Sequence, residues 1–192
     1  MNIKTSVKFG PLKKLVEEMS KQYSVKVGLL ADKGGVDPVG EDIDLAGLGA
    51  VHEFGCDIKI TPKMAAYLAI KAKELGLPSK QGKGDGYVHI PARSFLQGSL
   101  THKNEILKEL KSRVGIEELI EYIGQTGDME SLATMLGAAG VAVVQKGFET
   151  GGFGQWTPDS PLTIAAKKSA MPLIDEGYLS SHIDFEVEKK NG

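Results

Sequence analysis

At 192 residues, with 41% hydrophobic and 25% charged side chains, the chain can bury a sizeable core without a disulfide or a metal to hold it. Its single cysteine, Cys56, excludes an intrachain disulfide framework and a cysteine-based zinc site. The formal net charge of −2 hides blocks of +4 (residues 1–33), −6 (34–58), +7 (59–113) and −7 (114–192), a layout that suits either solvated faces or complementary contacts between neighbouring copies. The opening residues MNIKTSVKFGPLKK lack the apolar run of a secretory signal. The longest apolar stretch, around 136–144, is broken by Gly137 and Gly140 and is too short to span a bilayer. The expectation is one domain over 1–192, in a cytoplasm-like compartment, with no membrane partner.

In chain order, Leu12, Leu15, Val16 and Met19 fall at helical spacing and predict a short amphipathic helix over Gly10–Gln22. Ser24–Leu30 alternates as a strand, and the Gly, Pro and Asp content of Asp32–Gly40 marks a loop. Asp42 or Asp44 is placed to cap a helix running to about Phe54. Residues 56–90 read as an insertion. It has a strand at Asp57–Ile60, then a helix from the Thr61-Pro62 start to about Leu75. A glycine-rich loop over Gly76–Gly86 and a second strand at Tyr87–Ile90 complete this arm. A helical pattern resumes from Ser94 to Arg113, Ile116–Ile123 is a short helix or a break, and Asp128 caps a long helix over Met129–Phe148. Ala133, Gly137, Ala138 and Gly140 give that helix a small-residue side suited to close packing. Helical turns at Leu162–Lys168 and Asp175–Ser181 precede a final strand, Ile183–Glu188, expected to pair with Ser24–Leu30. The predicted class is therefore α+β: a small mixed or antiparallel sheet packed against the long helix, with an inserted strand-helix-loop-strand arm.

No catalytic pattern emerges. His52-Glu53 lacks the second histidine one turn on that a metalloprotease needs, since position 56 is cysteine, and the pair reads as capping or packing at a helix end. The glycines at 82–86 lack phosphate-loop spacing. Asp175 and Glu176, being adjacent, diverge by about 100° on a helix and do not form a carboxylate pair. The informative stretches are geometric instead. Ile90-Pro91-Ala92-Arg93-Ser94-Phe95-Leu96, the loop from Trp156 to Pro161, and Pro172 to Leu179 each combine proline with large anchors. Each is either a loop pinned to its own core or a set of exposed anchors for a partner. The partner-interface candidates are Arg93, Phe95 and Trp156, with Lys63, Lys71, Lys80 and Lys83 of the arm.

Four stretches in fixed order carry a resemblance: Ala50-Val51-His52-Glu53-Phe54-Gly55, Ile90-Pro91-Ala92-Arg93-Ser94-Phe95-Leu96, Trp156-Thr157-Pro158-Asp159-Ser160-Pro161-Leu162-Thr163 and Pro172-Leu173-Ile174-Asp175-Glu176-Gly177-Tyr178-Leu179. Together they resemble the phage virion morphogenesis, or tail-completion, family, over nearly the whole chain. Asp159 stands where that family commonly has leucine, Glu176 where it has threonine, and the arm is longer than in the shortest relatives. The resemblance implies a structural part without enzymatic activity or cofactor, acting in tail completion and head–tail joining at the neck of a tailed virion. The implied partners are other copies in a ring of about six, the tail tube and the neck or connector proteins. It also implies assembly in the host cytoplasm and proximity to packaged DNA without specific binding. A different reading takes the basic 59–113 segment as a nucleic-acid-binding module, with Tyr67, Tyr87 and Phe95 as its available aromatics.

Overall fold

The computed structural model describes residues 10–39, 43–77, 86–167 and 169–191. Helix α1 (Gly10–Gln22) leads directly into strand β1 (Tyr23–Leu29), and a 3-10 turn at Ala31–Lys33 follows. Helix α2 (Leu45–Phe54) is capped by Asp44, whose side chain accepts a hydrogen bond from Gly47 N at 2.7 Å. Asp42, the other expected cap, lies outside the described residues. Strand β2 (Cys56–Lys59), helix α3 (Pro62–Glu74) and strand β3 (Tyr87–Ile90) form the arm. The expected helix over Ser94–Arg113 is two pieces, α4 (Gln97–Leu100) and α5 (Lys103–Arg113). Next come α6 (Ile116–Thr126), α7 (Met129–Glu149), α8 (Pro161–Lys167), α9 (Tyr178–Ser181) and strand β4 (Ile183–Lys189). The last helix is a single turn, shorter than the sequence pattern over Asp175–Ser181 led one to expect.

The architecture is α+β with two small antiparallel sheets among the described residues. Strands β1 and β4 pair along their whole length, from Tyr23 opposite Lys189 to Leu29 opposite Ile183, so the two ends of the described chain close on each other as the alternation suggested. Lys26 bridges Glu186 and Glu188 across that ladder at 3.0 and 2.6 Å. Helix α7 lies across the pair. Its small residues make this possible: a β-carbon at Gly137 would collide with the Phe185 ring, and one at Gly140 would sit 3.1 Å from Val27. Contrary to the expectation from the glycine-broken stretch at 136–144, α7 taken whole is long and apolar enough to cross a membrane by length and composition. Half of its apolar window is buried inside the chain against β1, β4 and α5.

Two hydrophobic clusters sit at the two ends of α7. At its N-terminal half, Leu12 and Met19 of α1, Ile116, Leu119 and Ile123 of α6, and Leu132 and Ala133 form one. At its C-terminal half, Leu45, Phe95, Val144, Phe148, Leu179 and Ile183 form the other, with Trp156, Leu173 and Ile174 packed around it. Burying an aromatic or large aliphatic side chain contributes about 1.5–3 kcal/mol, so each cluster holds several separate chain segments by apolar contact. The second cluster positions the site described next.

Candidate functional site

Three of the four distinctive stretches converge at the second cluster, and the fourth is hydrogen-bonded to one of them through His52 and Glu53. Glu53, in the last turn of α2, is buried, and its carboxylate accepts three hydrogen bonds: from Ser94 Oγ at 2.6 Å, Leu96 N at 2.9 Å and Gln97 N at 3.0 Å. The amides are among the unpaired donors at the start of α4, so a residue more than forty positions earlier caps that helix. Ser94 Oγ in turn accepts from Gly98 N at 2.8 Å. Gly55, which ends α2 at φ +73°, leaves room for the returning strand: a β-carbon there would stand 2.7 Å from Ile90 O and Ala92 N.

Arg93 ties the same point to the tryptophan loop. Its backbone N–H donates to His52 O at 2.8 Å, and its guanidinium donates to Thr157 O at 2.8 Å and Pro158 O at 3.3 Å. Nη2 also lies 2.8 Å from Asp159 Oδ1. The second Asp159 oxygen is 2.6 Å from Lys167 Nζ but off the hydrogen-bonding direction; Lys167 donates instead to Met171 O and Ile174 O. The three charged side chains are only 5–10% exposed. Two cations therefore share one carboxylate in a dry setting, and backbone carbonyls offset the rest of the desolvation. Asp159 is the anion that makes this arrangement tolerable.

His52 faces the triad. Its Nδ1 is buried without a hydrogen-bond partner, and burial holds the imidazole below its ordinary range, with the Arg93 guanidinium pushing the same way. The cleft beside it, about 370 Å³, is lined by His52, Arg93, Asp159 and Lys167, with Asp175 and Glu176 exposed on its wall. Among the described residues, no group of three or more His, Cys, Asp or Glu side chains is placed to hold a metal ion. The arrangement locks the loop at 156–161, the loop before α9 and the entry to α4 into one rigid junction. Leu173 adopts a left-handed φ of 61° there, a strained conformation for leucine that its packing on the second cluster offsets.

These placements correct the reading of Arg93 and Phe95 as exposed anchors. Phe95 is 0% exposed and stacks on Phe148 at 5.2 Å between ring centroids; Arg93 is consumed by the triad. Trp156 is half-buried, edge-on to Phe148 at 5.7 Å, and its ring lies over the Gly152 backbone. All three hold this chain's own loops. Glu53, expected with His52 to cap or pack at a helix end, caps α4 rather than its own helix, a partner that the stretch LAGLGAVHEF does not name.

The arm is different. The α3 start is capped as expected, with Thr61 Oγ1 accepting from Met64 N at 3.2 Å. Lys63 is exposed, Lys71 pairs with Glu74 at 2.7 Å, and Lys80 and Lys83 lie outside the described residues. Ala72 is the one buried residue of α3, and contact between α3 and the other elements is sparse. Exposed apolar groups gather on this arm and at its root: Phe54 at 73%, Tyr67 at 57%, Ile70 at 56% and Tyr87 at 44%. Phe54 also forms the rim of an apolar groove of about 780 Å³ between α2 and α4, floored by Leu29, Gly49 and Leu100. Compared with known proteins, the chain matches no family model, no curated protein and no solved structure.

Proposed function

We propose that the chain is a structural component of a tailed bacteriophage virion. It acts in tail completion and head–tail joining at the neck, as one copy of a ring of about six, without an enzymatic step. The observation that carries this reading is the convergence of the four resembling stretches. They are scattered from Ala50 to Leu179 in the sequence, yet Glu53, Arg93, Asp159, Ile174 and Leu179 meet at one buried junction. Three of them contribute to one apolar cluster, and the first is hydrogen-bonded to the second through Glu53 and His52. The rigid junction with a sparsely held arm is also the division of labour an assembly part needs: a body that keeps its shape and an appendage that leaves apolar surface for a partner.

The test is particle morphogenesis in the absence of this protein. Heads and tails that form separately and fail to join support the reading, whereas normally joined, infectious particles would overturn it. A nucleic-acid-binding reading has one observation behind it. Lys59, Lys63 and Lys73 of the arm are exposed beside Tyr67 and Tyr87, the mixture of cations and aromatics that stacking on single strands uses. Phe95, the third aromatic of that reading, is buried and drops out. Duplex or single-strand binding that falls steeply with salt would favour this second reading.

A further inference from the structure

We infer that the arm's basic, aromatic helix face docks on the acidic outer face of α6 in a second copy of the chain, so that copies associate head to tail. This rests on the assembly reading above and names the contact that reading requires. On α3, Lys63, Tyr67 and Ile70 follow one another at intervals of four and three, forming one exposed stripe with Lys73 beside it. Among the described residues, Lys63 and Lys73 have no acidic partner. On α6, Glu117, Glu118 and Glu121 are exposed, the helix contains no Lys or Arg, and among the described residues none of the three carboxylates is in an ion pair. Tyr122, 46% exposed, adds an apolar edge to that acidic face. One surface thus offers cations around a tyrosine and an isoleucine, and the other offers carboxylates beside a tyrosine.

The root of the arm and α6 lie at opposite ends of the body, and α3 has no extensive contact with α6. The arm is rooted beside the Phe95–Phe148 cluster at the C-terminal end of α7, and α6 packs on Leu132 and Ala133 near its N-terminal end. At 1.5 Å per residue, the 21 residues of α7 separate them by roughly 30 Å. They are therefore poorly placed to neutralise each other within one copy, but each can meet its complement on a neighbour. A contact between two different surfaces is heterologous; it closes into a ring when the rotation between copies divides a full turn and otherwise runs on as a filament. Opposed charges set register and speed of docking, and the apolar groups between them are removed from water.

The experiment is sedimentation of the purified chain at low ionic strength and high concentration, with charge reversals on each face. All substituted residues are exposed, so circular dichroism and melting temperature are expected to stay at wild-type values. The wild type is expected to self-associate. K63E with K73E, and separately E117K with E121K, are expected to weaken association by about tenfold or more, and the four changes combined in one chain restore it. A wild type that stays monomeric under these conditions overturns the proposal, as does failure of the combined variant to recover. Unchanged self-association in the arm variant together with lost binding to DNA would also overturn it and assign the arm to nucleic acid. Particle morphogenesis separates the two levels: a protein required for head–tail joining whose charge swap does not recover sinks this contact and leaves the assembly reading standing.

Discussion

The junction and the arm use similar residues to opposite ends. In the body, Phe95, Phe148, Leu45 and Leu179 are withdrawn from water, and even Arg93, Asp159 and Lys167 are enclosed, each against named partners. In the arm, Tyr67, Ile70 and Tyr87 remain outside and α3 buries only Ala72. Apolar content alone does not distinguish the two regions; what differs is whether the chain itself supplies the opposing surface. The buried junction completes its contacts within one copy, while the arm leaves its apolar groups exposed.

That contrast predicts very unequal responses to substitution. The largest loss is expected for Phe95→Ala, which removes a fully buried ring at the centre of the second cluster. It should destabilise the chain by about 3–5 kcal/mol in urea unfolding, and a loss below about 1 kcal/mol would show that the cluster is not what holds the body together. Asp159→Ala comes next, at about 3 kcal/mol, the low end for removing one partner of a buried ion pair, because Lys167 retains two backbone carbonyls. Replacing residues 60–86 by Asn-Gly joins β2 to β3 as a two-residue hairpin. It is expected to cost the body no more than about 1 kcal/mol and, on the proposed assembly role, to impair incorporation into particles. If that chain does not fold, the arm belongs to the core and the comparison fails.

The smallest effect concerns pH. His52 is held below its ordinary value, so the unfolded chain binds its proton more readily than the folded one. Its contribution to stability is intact above about pH 6.5 and declines as pH falls below that value, when protonation would set a third cation against Arg93 and Lys167. Melting temperatures of wild type and His52→Asn should therefore converge, or cross, between neutral and mildly acidic pH. Parallel curves would show that His52 does not titrate against the triad.

Local signals in the sequence were a good guide to local structure. The Thr61-Pro62 helix start, the Asp44 and Asp128 caps and the period-two runs at both ends of the sheet all correspond to hydrogen bonds or pairings. The small-residue side of α7 likewise meets the strands it was expected to meet. What local pattern does not encode is the identity of a distant partner. Ser94–Arg113 reads as one helical stretch, yet the chain breaks at Thr101-His102. Arg93 looks like a free cation until Asp159, sixty-six positions later, is placed against it. Phe95 reads as an interface anchor for the same reason: an aromatic after a proline turn is equally suited to another molecule or to its own core, and long-range packing decides which.

The pairing of β2 with β3 has an evolutionary consequence. Cys56 stands opposite Ile90, so the arm leaves and re-enters the body at one place. The body thus senses the arm only as a loop whose two ends are already tied. The entropy of closing such a loop rises with the logarithm of its length, so doubling the inserted chain costs only about 0.6 kcal/mol. Insertions and deletions beyond Lys59 and Tyr87 are then nearly invisible to the fold. The reach of the arm can be retuned to a new neighbour by adding or removing helical turns, with no compensating change at the buried junction.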